Sequence, residues 1–130
     1  MDANRKRISE RVIGCAFEVS NTLGAGFLEN VYENALAVEF TRAGISFDRQ
    51  HGLSVSYKGE FIGQYVADFL VEKCLIVEIK ALSRLVAEHE AQVMNYLKAT
   101  GLSVGLLLNF GTPRLGVRRI VWGHDDNQAV

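Results

Sequence analysis

The chain has 130 residues, of which 48% are hydrophobic and 22% charged. This is the composition of one globular domain that can bury a core without disulfides or structural metal ions. Fourteen Lys and Arg against fifteen Asp and Glu exclude a polybasic protein that holds nucleic acid by bulk charge. We expect a single domain over residues 1–122 and a disordered tail over 123–130.

Cysteine use and hydropathy bear on the cellular compartment. Cys15 and Cys74 form no CxxC pair, which excludes a zinc ribbon and a disulfide scaffold. No apolar run is long enough to span a membrane, and the polar N-terminus lacks the apolar core of a signal peptide. A reduced, cytoplasmic protein without a membrane segment is expected.

Three segments have the apolar period of an amphipathic helix. This period predicts a first helix over residues 5–22 and a second from about residue 28 to Gly44. A third helix is expected to begin at an N-cap on Ser83 and to close at Gly101.

The remaining segments predict a sheet. Alternation from Ile45 onward and a turn at Lys58-Gly59 indicate a hairpin, and an almost wholly apolar run indicates a central strand covered on both faces. The expected strands are 45–57, 61–71, 75–80, 102–109 and, at an edge, 117–121. The resulting order, ααβββαββ, predicts an α/β (α+β) fold with a mixed sheet against helices.

Charged residues interrupt two of these strands. Glu78 and Lys80 lie two apart in the apolar central strand and so share one face, and Asp68 lies in the strand before it. The short connection makes the two strands antiparallel neighbours. Two adjacent carboxylates are tolerable in an apolar sheet if a divalent cation or Lys80 neutralises them.

The register of this hairpin decides whether the carboxylates meet. A two-residue turn would place Asp68 and Glu78 on opposite faces of the sheet. A three-residue connection pairs Val71 with Leu75 and sets Asp68 directly opposite Glu78. We predict the three-residue connection.

A structural explanation remains open for each of these residues. Lys80 could bridge both carboxylates as a plain ion pair, leaving no room for a cation. Glu29 could be an acid favoured at a helix N-terminus, and Tyr32 and Tyr96 could be core aromatics whose hydroxyls have found partners. His89 has no zinc-hydrolase spacing and is expected to be an ordinary helix residue.

Three motifs together resemble one superfamily. Asp68, followed after nine residues by Glu78-Ile79-Lys80, is similar to the D…(D/E)xK signature of PD-(D/E)XK nucleases. Gln92-Val93-Met94-Asn95-Tyr96 resembles the QxxxY element of RecB-like nucleases. Gly26-Phe27-Leu28-Glu29-Asn30-Val31-Tyr32 matches the motif of the small GxxExxY family at all three fixed positions. Ala67 stands where the superfamily usually has a proline before its aspartate.

The resemblance implies a restriction-endonuclease-like fold and a divalent-metal-dependent phosphodiester hydrolase, a nuclease that acts on nucleic acid, with DNA as the expected substrate. It implies that Mg²⁺ or Mn²⁺ is held by Glu29, Asp68, Glu78 and the carbonyl of Ile79. Catalysis is then expected from Asp68, Glu78, Lys80 and Gln92. Residues expected to position substrate or ligands are Tyr32, Tyr96 and Arg84.

A second function is kept open beside the first. The chain could be a nuclease-fold module, weakly active or inactive, that binds nucleic acid or protein. Its small size and near-neutral charge favour dependence on a homodimer or a partner protein for gripping a duplex. Metal binding discriminates the two hypotheses.

Overall fold

The computed structural model describes residues 3–123. The described residues form three helices and five strands in the expected order ααβββαββ. The helices are α1 (Ala3–Leu23), α2 (Glu29–Arg42) and α3 (Ala87–Thr100), and the strands are β1 (Phe47–Tyr57), β2 (Glu60–Val71), β3 (Leu75–Lys80), β4 (Val104–Asn109) and β5 (Gly116–Val121).

The five strands form one mixed sheet in the spatial order β1-β2-β3-β4-β5, so β3 is central and β5 is an edge, as predicted. Strand β3 pairs with β2 antiparallel and with β4 parallel. Helix α3 makes the crossover between the two parallel strands. The parallel pair is buried along nearly its full length, which explains its unbroken apolar sequence.

Helices cover the sheet on both faces and create two cores. On one face, α1 and α2 pack Val12, Leu36 and Phe40 against the side chains of the central strands. On the other face, α3 packs Val93 and Leu97 against the opposite side of the same strands. The period-two alternation of the strands therefore divides their side chains between two apolar layers.

The β2–β3 hairpin has the predicted three-residue register. Val71 pairs with Leu75, and Phe69 pairs with Val77. Glu72 and Lys73 form the turn with left-handed backbones, at φ 51° and 59°. This register places Asp68 of β2 directly opposite Glu78 of β3.

The predicted start of the third helix was wrong. Helix α3 begins at Ala87 after an extended Val86, so Ser83 is not its N-cap. The side chain of Asn109, at the end of β4, holds the backbone of Leu82: its Oδ1 accepts the Leu82 N–H at 2.9 Å and its Nδ2 donates to the Leu82 carbonyl at 3.0 Å. These two hydrogen bonds hold the Leu82 backbone outside a helix, and the chain bends at Ser83 and Arg84 before α3 begins.

The predicted tail lies, apart from Gly123, outside the described residues. Within residues 3–123, no helix is both long enough and apolar enough to cross a membrane.

Candidate functional site

Strands β2 and β3 separate at Asp68 and Glu78. Backbone pairing between them reaches Phe69 and Val77, and side chains make the next contacts. The backbone N–H of Asp68 donates to Glu78 Oε2 at 2.8 Å, and the N–H of Ile79 donates to Asp68 Oδ2 at 2.8 Å. Each carboxylate thus crosses the gap to the opposite strand, and the predicted neighbourhood of the two acids is present.

The Glu78 carboxyl is in an environment that disfavours its charge. Glu78 is 4% exposed. Burial, followed by the negative charge of Asp68, raises the pKa of Glu78 to about 8, although the N–H of Asp68 and the charge of Lys80 oppose the shift. Burial also raises the pKa of Asp68, against the hydrogen bond from Ile79. Two ionised carboxylates here call for a neutralising cation.

Glu29 begins α2 and is exposed, near enough to the two acids for their charges to act on its pKa. Partial burial raises its pKa first, the negative charge of Asp68 raises it further, and Lys80 lowers it. The charge of Asp68 therefore acts on Glu29, while a contact of Glu29 with the two carboxylates stays a prediction. The three acids are nevertheless not gathered into one ligand set, because residues 3–123 contain no group of three or more His, Cys, Asp or Glu placed to hold a metal ion.

Lys80 supplies positive charge to the site without pairing with either acid. It is half-buried at the end of β3, and its charge lowers the pKa of both Asp68 and Glu78. The salt bridges within the described part of the chain lie elsewhere, at Arg49–Glu33, His51–Asp48 and Arg118–Glu90. The alternative in which Lys80 bridges both carboxylates is therefore not the arrangement observed.

A backbone oxygen also faces the gap. The N–H of Phe110 donates to the Lys80 carbonyl at 2.8 Å, so the Lys80 carbonyl is directed toward β4. Since successive residues of a strand alternate, the N–H and carbonyl of Ile79 point the other way, toward β2. The Ile79 N–H already reaches Asp68, and the Ile79 carbonyl lies on the same side.

Helix α3 brings Tyr96 close to the acids. Tyr96 is buried, and its hydroxyl donates to the Val66 carbonyl at 3.3 Å. Burial raises the Tyr96 pKa, and the negative charges of Glu78 and Asp68 raise it further. Gln92, one turn earlier, is half-buried beside a cleft of about 420 Å³ and makes no hydrogen bond to the carboxylates in the structure described here.

Other predicted residues lie apart from the acids. The hydroxyl of Tyr32 donates to the Gly24 carbonyl at 2.6 Å and accepts the N–H of Phe27 at 3.1 Å. Tyr32 thus ties down the loop that leads into Glu29, in keeping with a core aromatic whose hydroxyl is satisfied. Arg84 is exposed in the segment between β3 and α3.

His89 has a local structural role. Its Nδ1 accepts the backbone N–H of Val86 at 3.0 Å, just before α3. The histidine is therefore the ordinary helix residue that its sequence spacing predicted.

Sequence reasoning missed a group of residues on the β1 side of Asp68. The Gln50 amide donates to Glu33 Oε1 at 3.0 Å and, at 3.4 Å, to Asp68 Oδ1. Arg49 forms a salt bridge of 2.8 Å with Glu33. The spacing of Glu29 and Glu33, four residues apart and so on one helical face, was the available signal.

Comparisons with known proteins show the family of this chain. A family model described as the PD-(D/E)XK nuclease superfamily matches residues 6–120, which include both carboxylates and Lys80. No curated protein matches the chain significantly.

A solved structure has a similar backbone. The crystal structure of SSO0001 superposes with a TM-score of 0.57 and 19% identity, covering 74% of this chain and 50% of that one. At this identity the likeness shows the fold alone, and this chain spans half the length of SSO0001. The five-stranded mixed sheet between helices is the expected restriction-endonuclease-like fold. From the family match over residues 6–120, the chain belongs to the PD-(D/E)XK nuclease superfamily.

Proposed function

We propose that this protein is a divalent-metal-dependent phosphodiester hydrolase that cleaves DNA, in the GxxExxY group of RecB-like nucleases. One observation carries the proposal. Asp68 and Glu78 meet in the gap between β2 and β3, where burial disfavours both charges and Lys80 pairs with neither.

The oxygens at this gap fit a hard divalent cation. Asp68 and Glu78 each use one carboxylate oxygen for a backbone N–H, which fixes the carboxylates and leaves a second oxygen on each. With the carbonyl of Ile79, these oxygens form a donor set suited to Mg²⁺ or Mn²⁺. Glu29 is not gathered with them, so we assign it a contact through a bound water.

The chemistry follows from the residues around these oxygens. A bound Mg²⁺ or Mn²⁺ supplies a Lewis acid for a phosphate oxygen and lowers the pKa of a coordinated water. The Lys80 ammonium, free of a salt bridge, can hold the attacking water and offset the negative charge that grows on the phosphate. The negative charges of both acids act on Tyr96 of α3, and Gln92 lies one turn earlier on the same helix. These two residues would position the ligands or the substrate.

A cleft between the β1–β2 hairpin and α3 supports a nucleic-acid substrate. It has a volume of about 590 Å³. Its walls include Lys98 and the exposed ring of Tyr65, a cation for phosphate and an aromatic face for a base. Arg84 is a further exposed cation in the segment after β3.

Metal binding and cleavage test the proposal together. Mn²⁺ titration calorimetry and cleavage of labelled single- and double-stranded DNA would compare the wild type with Asp68→Asn. The matched control is Asp48→Asn, an exposed aspartate of β1 that is paired with His51. Loss of metal binding and cleavage in Asp68→Asn alone is expected, whereas equal cleavage by all three proteins would contradict the assignment.

The second candidate is a nuclease-fold module that binds nucleic acid or protein without efficient cleavage. One observation in its favour is that the three acids do not form one ligand set within residues 3–123. The other is a group of exposed apolar residues toward the tip of the β1–β2 hairpin, Tyr57, Phe61 and Ile62. These residues offer a surface for a second copy or a partner protein. A wild type that binds Mn²⁺ but cuts no DNA would favour this module. For either function, two free cysteines are in keeping with a cytoplasmic setting.

A further inference from the structure

Gln50 has an unusual backbone at the point where β1 faces Asp68. Its φ is 50°, in the left-handed region that residues with a side chain rarely adopt inside a strand. The β1–β2 register runs through Arg49 with Phe69 and resumes at His51 with Ala67. The irregularity therefore falls at Gln50, directly across from Asp68. Strain of this kind persists only where surrounding contacts hold it, and it concentrates at functional sites.

The side chain of Gln50 lies between two carboxylates. Its Nε2 is 3.0 and 3.2 Å from the two oxygens of Glu33, and 3.4 Å from Asp68 Oδ1. Carboxylates only accept hydrogen bonds, so the amide nitrogen must face both acids. An amide can serve two acceptors at once without adding charge.

Glu33 fixes the amide in place. Arg49 holds Glu33 through Nε at 3.2 Å and Nη2 at 2.8 Å, and the Arg49 guanidinium also reaches Asn34. Glu33 is thereby neutralised and anchored to β1. On the far side, Asp68 Oδ2 accepts the Ile79 N–H at 2.8 Å. Gln50 therefore donates to Asp68 Oδ1, the carboxylate oxygen that does not accept the Ile79 N–H.

We propose that Gln50 is a positioning residue that orients the Asp68 carboxylate for a divalent cation, and that its left-handed backbone is retained for this purpose. The inference rests on the proposed function and deepens it. Partners that orient a ligating carboxylate commonly change metal affinity by about 10- to 100-fold when removed.

Replacing Gln50 by glycine separates positioning from folding. Gln50→Gly removes the amide and also relieves the left-handed backbone, since glycine adopts φ near +50° freely. We expect a thermal midpoint equal to or above that of the wild type, with Mn²⁺ affinity about 10-fold weaker by calorimetry. With saturating Mn²⁺, kcat for DNA cleavage should fall while KM for DNA stays unchanged, because Gln50 contacts Asp68 and not the substrate.

Two further variants complete the test. Lys58→Gly is the matched control, because Lys58 has a φ of 51° in the β1–β2 turn, where relief of the backbone should leave Mn²⁺ affinity unchanged. Gln50→Asn keeps an amide and tolerates the left-handed backbone but is one methylene shorter. We expect it to fold normally and to bind Mn²⁺ more weakly than the wild type.

The outcomes distinguish this inference from the proposed function. Wild-type Mn²⁺ affinity in Gln50→Gly and Gln50→Asn would overturn the positioning role alone. Thermal midpoints that fall together with affinity in both variants would make Gln50 a structural residue and also overturn it. A wild type that takes up no Mn²⁺ would overturn the metal site and this inference together.

Discussion

Asp68 and Glu78 join β2 and β3 by reciprocal hydrogen bonds at the point where the two strands separate. The backbone of Asp68 donates to the Glu78 carboxylate, and the Asp68 carboxylate accepts from Ile79, the residue after Glu78, both at 2.8 Å. These bonds replace the backbone ladder that stops at Phe69 and Val77. The carboxylates of Asp68 and Glu78 therefore also help to hold β2 and β3 together. Substitutions that test their function should keep the size and shape of the side chain.

Asp68→Asn should separate stability from metal binding. The asparagine Oδ1 can still accept the Ile79 N–H, and removal of one negative charge relieves repulsion with Glu78. We expect metal-free stability equal to or above that of the wild type, measured by urea unfolding. Mn²⁺ binding should be lost by calorimetry, and a destabilised variant that retains full metal affinity would contradict the assignment.

The stability of the metal-free protein should fall as pH rises through the range in which Glu78 is protonated in the folded state but ionised in the unfolded state. Its pKa is about 8 in the folded chain against an ordinary value of 4.5, so between these values the folded state binds more protons than the unfolded state. The free energy of unfolding is then higher near pH 4.5 and declines as the pH approaches about 8. Asp68 and Glu29, whose pKa values are also raised, act in the same direction.

Urea unfolding at about pH 5 and about pH 8 measures this decline. Glu78→Gln should flatten it, because an amide does not titrate. Saturating Mg²⁺ should reverse part of it, because a cation stabilises the ionised carboxylates of the folded state. An identical pH dependence in wild type and Glu78→Gln would show that Glu78 is not the group responsible.

Lys80→Ala should affect cleavage more than metal binding. The substitution removes a positive charge beside Asp68 and Glu78, so Mn²⁺ should bind as well as before or better. Cleavage of labelled DNA should fall by about two or more orders of magnitude, the scale for losing a positioned acid-base or charge-stabilising group. Lys73→Ala, an exposed lysine in the β2–β3 turn, is the control. Cleavage that survives in Lys80→Ala and Asp68→Asn would come from another site or a contaminant.

Tyr32→Phe should destabilise the loop that leads into α2. The hydroxyl joins the Gly24 carbonyl and the Phe27 N–H, and its removal leaves both without this partner. A loss of about 1–2 kcal/mol in the free energy of unfolding is expected. Tyr57→Phe, in an exposed position, should change stability little. Equal effects of the two substitutions would show that the loop does not depend on this hydroxyl.

Much of the fold and the central pair of acids follow from the sequence, because they depend on local periodicity. The eight elements and the antiparallel hairpin were predicted in order, and the three-residue connection that pairs Val71 with Leu75 is present. Alternation along β3 was sufficient to put Glu78 and Lys80 on one face. The roles of Glu29, Gln92 and Arg84 in metal or substrate binding stay predictions.

Tertiary contacts decided the rest. Ser83 is a favourable N-cap residue, yet the side chain of Asn109, 27 residues away, binds the backbone of Leu82, and α3 begins only at Ala87. No local pattern encodes such a contact, because its two partners lie 27 residues apart in sequence.

The same physics governs the surroundings of Asp68. Glu29 and Glu33 lie one turn apart on α2 and are equivalent by spacing, but Arg49 on β1 pairs with Glu33, whereas burial and the charge of Asp68 raise the pKa of Glu29. Gln50 combines a left-handed backbone within a strand with a side chain that reaches Asp68, which local propensity does not predict. The sequence alone determined which acids could meet, through the period of the strands, whereas packing between distant elements determined how deeply each acid is buried and which groups hold it by hydrogen bonds.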